Sequence, residues 1–377
     1  MDKMKMAGHL FLSSFLLISG LFLSGCGSSD SSKGPAIEGS KIAIVNTRNK
    51  EEANIAVINY DTGETWNDLL DVEGACNLSQ YGDYIYIVDK TANKIIKFDY
   101  KERAVVKDLF TGDSTKPYSI CFVSETKAYI ALNNTTYIGI FNPETMEMAG
   151  QIDISTMAAS DNKIQQYHCM LKGDRLFVTL RHNTRNSEKT SGLAVIDTAT
   201  DEIVKELELQ TDGVSGMGQT AIGGRVQTES SITGNVYVCV VNSMKVTDDG
   251  SIEIIDDIET ANPVSRIIAE EADYGGSMAT WVFDSNTTGW AIVGLESNYG
   301  LIRFDLSGDG TFENVSAFQG MEYSYALECT KDGFVIVGVR NEDKPGIWVY
   351  DSKNDYNPVF DSALNVGLMP NRILIVR

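Results

Sequence analysis

A β-run that ends in an acid or amide and then turns recurs along the chain, and no other feature limits the fold as strongly. It reads AVINYD to Asp61, IIKFD to Asp99, IGIFN to Asn142, LAVID to Asp197, IEIID to Asp256, LIRFD to Asp305 and IWVYD to Asp351. The spacings are 38, 43, 55, 59, 49 and 46 residues, which marks a repeat architecture. Turn-forming residues follow the runs, as in DTGET, NPETM, DTATD and DSKND. Asp and Asn suit that place because their side chains bond the backbone of the turn.

A second β-branched or aromatic run precedes each of these, from KIAIVN and YIYIVD to WAIVGL and FVIVGV. A weaker run follows each turn, for example AVVKDLF, EIVKELEL and NPVSRII, and a further one precedes each pair, as in YSICFV, YHCML, MATWVF and YALEC. Four strands per unit in seven units predict an all-β, seven-bladed β-propeller with antiparallel blades over residues 41–377. The first unit lacks its innermost strand, and PNRILIV (370–376) supplies one with nothing after it. The expectation is that this C-terminal strand joins residues 41–46 and closes the ring. Helical periodicity is nearly absent; STMAASDNKIQQ (155–166) has no clean 3.6-residue period.

The first 26 residues are read as a signal segment. Lys3 and Lys5 precede an apolar run, Leu10 to Leu23, that is too short to span a bilayer and suits a secretory core. The run closes on Leu23-Ser24-Gly25-Cys26, which resembles a bacterial lipobox. The resemblance implies that Cys26 is acylated and becomes the first mature residue; the competing role is an ordinary signal peptide with an incidental cysteine. Residues 27–40, GSSDSSKGPAIEGS, have the composition of a flexible tether. The expected location is the cell envelope, with the membrane as partner through the lipid anchor.

Formal net charge is −21, and removing Asp2, Lys3 and Lys5 with the leader makes it about −22. Such a surface repels phosphate backbones and argues against nucleic acid as a partner. Five cysteines follow Cys26 (Cys76, Cys121, Cys169, Cys239, Cys329), with no metal-type spacing, and are read as small apolar core residues.

Residues 176–209, LFVTLRHNTRNSEKTSGLAVIDTATDEIVKELEL, resemble the YVTN repeat of bacterial and archaeal surface propellers; YIYIVDKTANKIIKFDY and AYIALNNTTYIGIFNPET match more loosely. The resemblance is specific over 84–209 and implies a surface or periplasmic propeller displaying loops for binding. It carries no catalytic signature.

In a propeller the loops from second to third strand share one face with the starts of the innermost strands. Here those loops carry Arg48, Lys50, Lys90, Arg181, Arg185, Lys189, Lys245, Arg340 and Lys344 against nine acids. That face is nearly neutral on a strongly acidic molecule, and it would attract a polar or anionic ligand. Tyr118, Tyr167, Trp281, Tyr323 and Tyr325 lie near the innermost strands, and with His168, His182 and Arg372 they are candidates for lining the channel mouth. Packing between blades is the competing role for each. His168 and Cys169 are adjacent on a strand, where successive side chains diverge, so they are not expected to bind one ion together or to act as base and thiol. DLSGDGTFENVS (305–316) places Asp305, Ser307 and Asp309 as in a calcium loop, but Ser316 stands where the bidentate Glu belongs, so a plain turn is expected and no metal site is assigned.

No G-x-S-x-G elbow, zinc spacing or haem motif occurs, and no cofactor is indicated. The sequence therefore favours an envelope lipoprotein that binds a small polar or anionic ligand, or a partner protein, at the loop face and channel mouth. Open alternatives are capture of a siderophore or other metal chelate for a transporter, a lactonase-like or dehydrogenase-like propeller enzyme with a metal at the channel mouth, and an adhesion scaffold.

Overall fold

In the computed structural model the chain divides into Met1–Pro35 and Ala36–Arg377. The structure describes residues 37–158, 164–181, 191–211, 221–223, 236–240, 250–285, 287–295, 298–306, 311–314, 326–340 and 345–377, all in the second unit. Seven four-stranded antiparallel sheets make up this unit, a seven-bladed β-propeller. Among the described residues there are also one short 3-10 turn, Ser155–Met157, and one helical turn, Glu271–Tyr274, capped by Gly275 at φ 81°.

Blade 2 shows the plan, with strands Cys76–Tyr81, Tyr84–Asp89, Lys94–Asp99 and Ala104–Phe110 from the axis outward. The innermost strands of blades 3 to 7 are Pro117–Ser124, Gln165–Lys172, Ala221–Gly223, Ser277–Phe283 and Leu327–Cys329. Blade 1 consists of Ile42–Arg48, Ala53–Asn59 and Thr65–Val72, with Met369–Ile375 as its innermost strand. The expected closure is present: Ala43 pairs with Ile375 and Val45 with Ile373.

Apolar burial explains why the blades form a ring. Second strands such as IAIVNTR and VYVCV are buried along almost their whole length. On a strand the side chains alternate, so each blade presents two apolar faces. Ile42 and Ile44 pack with Leu78 and Ile85 of blade 2, whereas Ala43 and Val45 pack with Ile336 and Ile347 of blade 7. Seven apolar clusters result, one at each junction between neighbouring blades. Outer strands are mostly exposed, as in Ala104–Phe110.

Polar ties reinforce the junctions. Tyr86 Oη and Lys97 Nζ donate to the Pro143 carbonyl of the next blade, at 3.3 and 3.1 Å. Lys127 Nζ reaches the Thr198 carbonyl at 2.8 Å and Tyr129 Oη bonds Asp201, while Lys205 Nζ reaches the Pro263 carbonyl at 3.0 Å. At the closure, the fully buried Asn46 accepts from Cys76 N (3.0 Å) and from Asn371 Nδ2 (3.1 Å), joining blade 2 to the C-terminal strand.

The repeated acid or amide caps its turn as its chemistry dictates. Asn142 Oδ1 accepts from the backbone of Glu144 and Thr145, and Asp197 Oδ1 from Ala199 and Thr200. Blade 1 departs from the series: Asn59 caps the turn, accepting from Asp61 N and Thr62 N, and Asp61 pairs with Lys41 at 2.8 Å. All five cysteines of the propeller are free thiols, four buried and Cys169 half-buried. Among the described residues no helix is long and apolar enough to cross a membrane.

Deleting 370–377 removes one strand and opens the junction between blades 1 and 7; the cooperative thermal transition is expected to disappear, as followed by calorimetry. A second outcome concerns pH. Burial pushes the Tyr60 and Tyr86 phenols up to about 12, against about 10 in an unfolded chain. The folded state then holds protons that the unfolded state has lost, so the contribution of these two phenols is level below about pH 10 and falls between about 10 and 12. Tyr86→Phe should lower stability near neutrality by about 1 kcal/mol, through the lost bond to Pro143, and make that alkaline fall shallower.

Candidate functional site

Pairing is irregular near the beginning of several innermost strands. In blade 4 Gln166 pairs with Leu180 and Cys169 with Val178, so Tyr167 and His168 together oppose Thr179. His168 N donates to Thr179 Oγ1 at 2.9 Å in place of a ladder bond. In blade 3 Tyr118 is the extra residue between the pairs Pro117–Leu132 and Ser119–Ala131. Asn371 is the extra residue in the C-terminal strand, next to Arg372, and Ala279 in blade 6. A bulge re-aims side chains that strict alternation would send into a blade junction.

The bulges of blades 3 and 4 bring their aromatics together. The Tyr118 ring meets Tyr167 edge-on at 4.9 Å between centroids and His168 edge-on at 5.2 Å. Ser119 Oγ fastens the two bulges, donating to the Tyr167 carbonyl (2.8 Å) and accepting from Cys169 N (2.9 Å). Tyr167 Oη donates to Gln165 Oε1 at 3.0 Å and accepts from Arg181 at 3.3 Å. On the other side Asn77 Nδ2 donates to the Tyr118 carbonyl at 2.6 Å, and Arg372 Nε donates to Asn77 Oδ1 at 2.8 Å. Blades 1 to 4 thus contribute to one polar and aromatic wall.

Lys90 stands over this wall. It follows the second strand of blade 2, and its ammonium lies 5.3 Å from the Tyr118 ring and 6.0 Å from that of Tyr167. The neighbouring Asp89 carboxylate is fully engaged by backbone, accepting from Glu73, Thr91 and Ala92. Partial burial and the Lys116 charge lower the Lys90 pKa from the ordinary lysine value. Lys116, exposed, lies on the segment leading into the innermost strand of blade 3, where its backbone N donates to Asn93 Oδ1 at 2.9 Å.

Of the residues singled out in the sequence, Tyr118, Tyr167, His168, Arg181 and Arg372 therefore belong to one connected wall. Trp281 does not: it is 7 % exposed, packs against Phe283 and Phe304, and belongs to the cluster between blades 5 and 6. It is the fifth residue of its strand, whereas Tyr118 and Tyr167 are the second and third of theirs. Arg340 follows the second strand of blade 7 and is half-buried. His182, Arg185, Tyr323 and Tyr325 lie outside the described residues. Asp305 ends the third strand of blade 6, paired with Thr288 and Thr311, while Ser307 and Asp309 lie outside the described residues.

His168 and Cys169 part company as expected. His168 turns to Tyr118, while Cys169 Sγ lies 3.2 Å from Ser119 Oγ and packs against the cluster that holds Cys121. Sequence reasoning missed Asn77, Ser119 and Lys116. Lys116 was findable, since Lys116-Pro117-Tyr118 leads directly into the start of an innermost strand. Among the described residues no three His, Cys, Asp or Glu side chains are grouped to hold a metal ion.

No protein-family model matches the chain, and no curated protein matches it. Solved structures do. A protein from Lactobacillus plantarum superposes with a TM-score of 0.63 at 14% identity, over 90% of this chain and 100% of its own. A putative 6-phosphogluconolactonase from Bacteroides fragilis gives 0.60 at 13%, over 89% and 98%. Apo AztD from Citrobacter koseri gives 0.51 at 14%, over 88% and 96%. At such identities the likeness establishes the propeller fold alone.

Ser119→Ala would leave the Tyr167 carbonyl and Cys169 N without their shared hydroxyl and loosen both bulges. The expected cost is about 1–3 kcal/mol of stability, read as a lowered melting temperature.

Proposed function

We propose that the chain is a lipid-anchored envelope protein whose propeller binds a small, negatively charged ligand at the channel mouth. The observation that carries this reading is the wall built by the bulged strands. Tyr118, Tyr167 and His168 meet there, with Lys90 above them and Arg181 and Arg372 hydrogen-bonded at its flanks. Aromatic surface with a few fixed polar groups is the usual composition of a small-molecule site. The acidic remainder of the molecule makes this cationic quarter the attractive place for an anion, and focused fields of this kind raise association rates.

The lipobox-like Leu23-Ser24-Gly25-Cys26 and the tether after it support anchoring through Cys26. YVTN-like wording in blades 2 to 4 supports a surface or periplasmic setting. Two measurements test the proposal. In a thermal-shift panel on the full chain in detergent, dicarboxylates, sugar phosphates and ferric chelates should stabilise the protein, and neutral glycans should not. Tyr118→Ala should abolish that response. If no anion in the panel moves the melting temperature, the binding reading is overturned. Separately, Cys26→Ala should shift the protein from the detergent phase to the aqueous phase on partitioning.

A further inference from the structure

Five described lysines hold their ammonium groups over aromatic rings: Lys41, Lys90, Lys97, Lys101 and Lys127. Four of them also have an oxygen to answer their charge. Lys41 pairs with Asp61 at 2.8 Å, Lys97 donates to the Pro143 carbonyl at 3.1 Å, Lys101 lies 3.6 Å from Asp83, and Lys127 pairs with Asp201 at 2.8 Å. Lys90 is the exception. Among the described residues no carboxylate or carbonyl oxygen bonds its ammonium, and the nearby Asp89 is taken up by three backbone N–H groups. A half-buried cation without a counter-charge is costly, and a second cation, Lys116, adds to that cost. The Tyr118 hydroxyl, on the ring beneath Lys90, also has no hydrogen-bond partner among the described residues.

We infer that Lys90 and Lys116, with the Tyr118 hydroxyl, form the subsite that takes a multiply charged oxyanion group of the ligand. The inference rests on the binding reading above and assigns the end of the ligand that carries its charge. Two ammonium groups favour a dianion over a chloride ion, because each contributes its own charge-assisted hydrogen bond. The tyrosine pair suits the less polar part of the same ligand, which would lie along the wall toward His168. A tetrahedral phosphate and a flexible dicarboxylate share this chemistry.

The test uses the full chain in detergent and reads acetylation of each lysine by mass spectrometry under a limiting acylating reagent. Its lowered pKa gives Lys90 a larger share of free amine than ordinary lysines, so it labels readily when the site is empty. Inorganic phosphate, succinate and chloride are compared at matched ionic strength, which keeps general screening equal. Phosphate, succinate or both should slow Lys90 labelling by about threefold or more relative to chloride, with Lys101 unchanged as the internal control. The effective anion tells the tetrahedral from the dicarboxylate handle. Lys116→Gln should weaken the protection while leaving the fold intact, since its side chain is exposed. Equal Lys90 labelling in all three salts, or protection undiminished in Lys116→Gln, overturns the subsite. If the wider anion panel still stabilises the protein in that event, the mouth remains a binding site with its charge handle elsewhere; if the panel fails as well, both readings fall.

Discussion

Burial on both faces of the second strands is the constraint on which this propeller depends. A blade such as Ile42–Arg48 with its neighbours has apolar side chains pointing both ways, so no single sheet can hide its own surface. Each blade is completed by two others, and the only arrangement that leaves none incomplete is a closed ring. The seven junction clusters are therefore one continuous requirement, and the hydrogen bonds between Met369–Ile375 and Ile42–Arg48 are what satisfies its last member. Asn46 shows how tightly the closure is specified: its side chain is fully buried and bonds the backbone of blade 2 and the side chain of Asn371.

The same demand for regular packing makes the irregular places informative. Junction clusters need alternation, and an extra residue in an innermost strand breaks it. Three innermost strands, those of blades 1, 3 and 4, carry such a break beside the wall, and the aromatics of blades 3 and 4 meet there as a consequence. Ser119 absorbs part of the cost by bonding both partners of the adjoining bulge. The site is thus a local departure from the repeat, held in place by the regularity around it.

The fold was legible because its cause is periodic. Apolar runs ending in Asp or Asn recur seven times, and the structure places a blade at each. Even there the spatial role drifts: in blade 1 the cap is Asn59, two residues before the Asp61 that completes the sequence pattern, because the strand turns earlier than its apolar wording implies. The site was only partly legible. Tyr118, Tyr167 and His168 stood out as aromatics near strand beginnings, but Trp281 bears the same mark and lies in a junction, because depth along the strand decides between mouth and core. Bulges leave no local signature in one sequence, and Asn77 and Ser119 act through backbone atoms of residues about 40 to 50 positions away, which no spacing rule reveals.

The bond from Asn371 to Asn46 spans 325 positions of sequence. A contact of that separation forms late, since closing so long a loop is slow compared with pairing strands inside a blade. Until it forms, Ile42–Arg48 is an open edge with unpaired backbone groups beside an apolar face, a surface prone to join any strand it meets. In a chain synthesised from its N-terminus, that edge emerges early and waits for nearly the whole remainder. The ring that gives the finished protein no exposed core thus makes the unfinished one adhesive, and the interval between the two is when it most needs shielding.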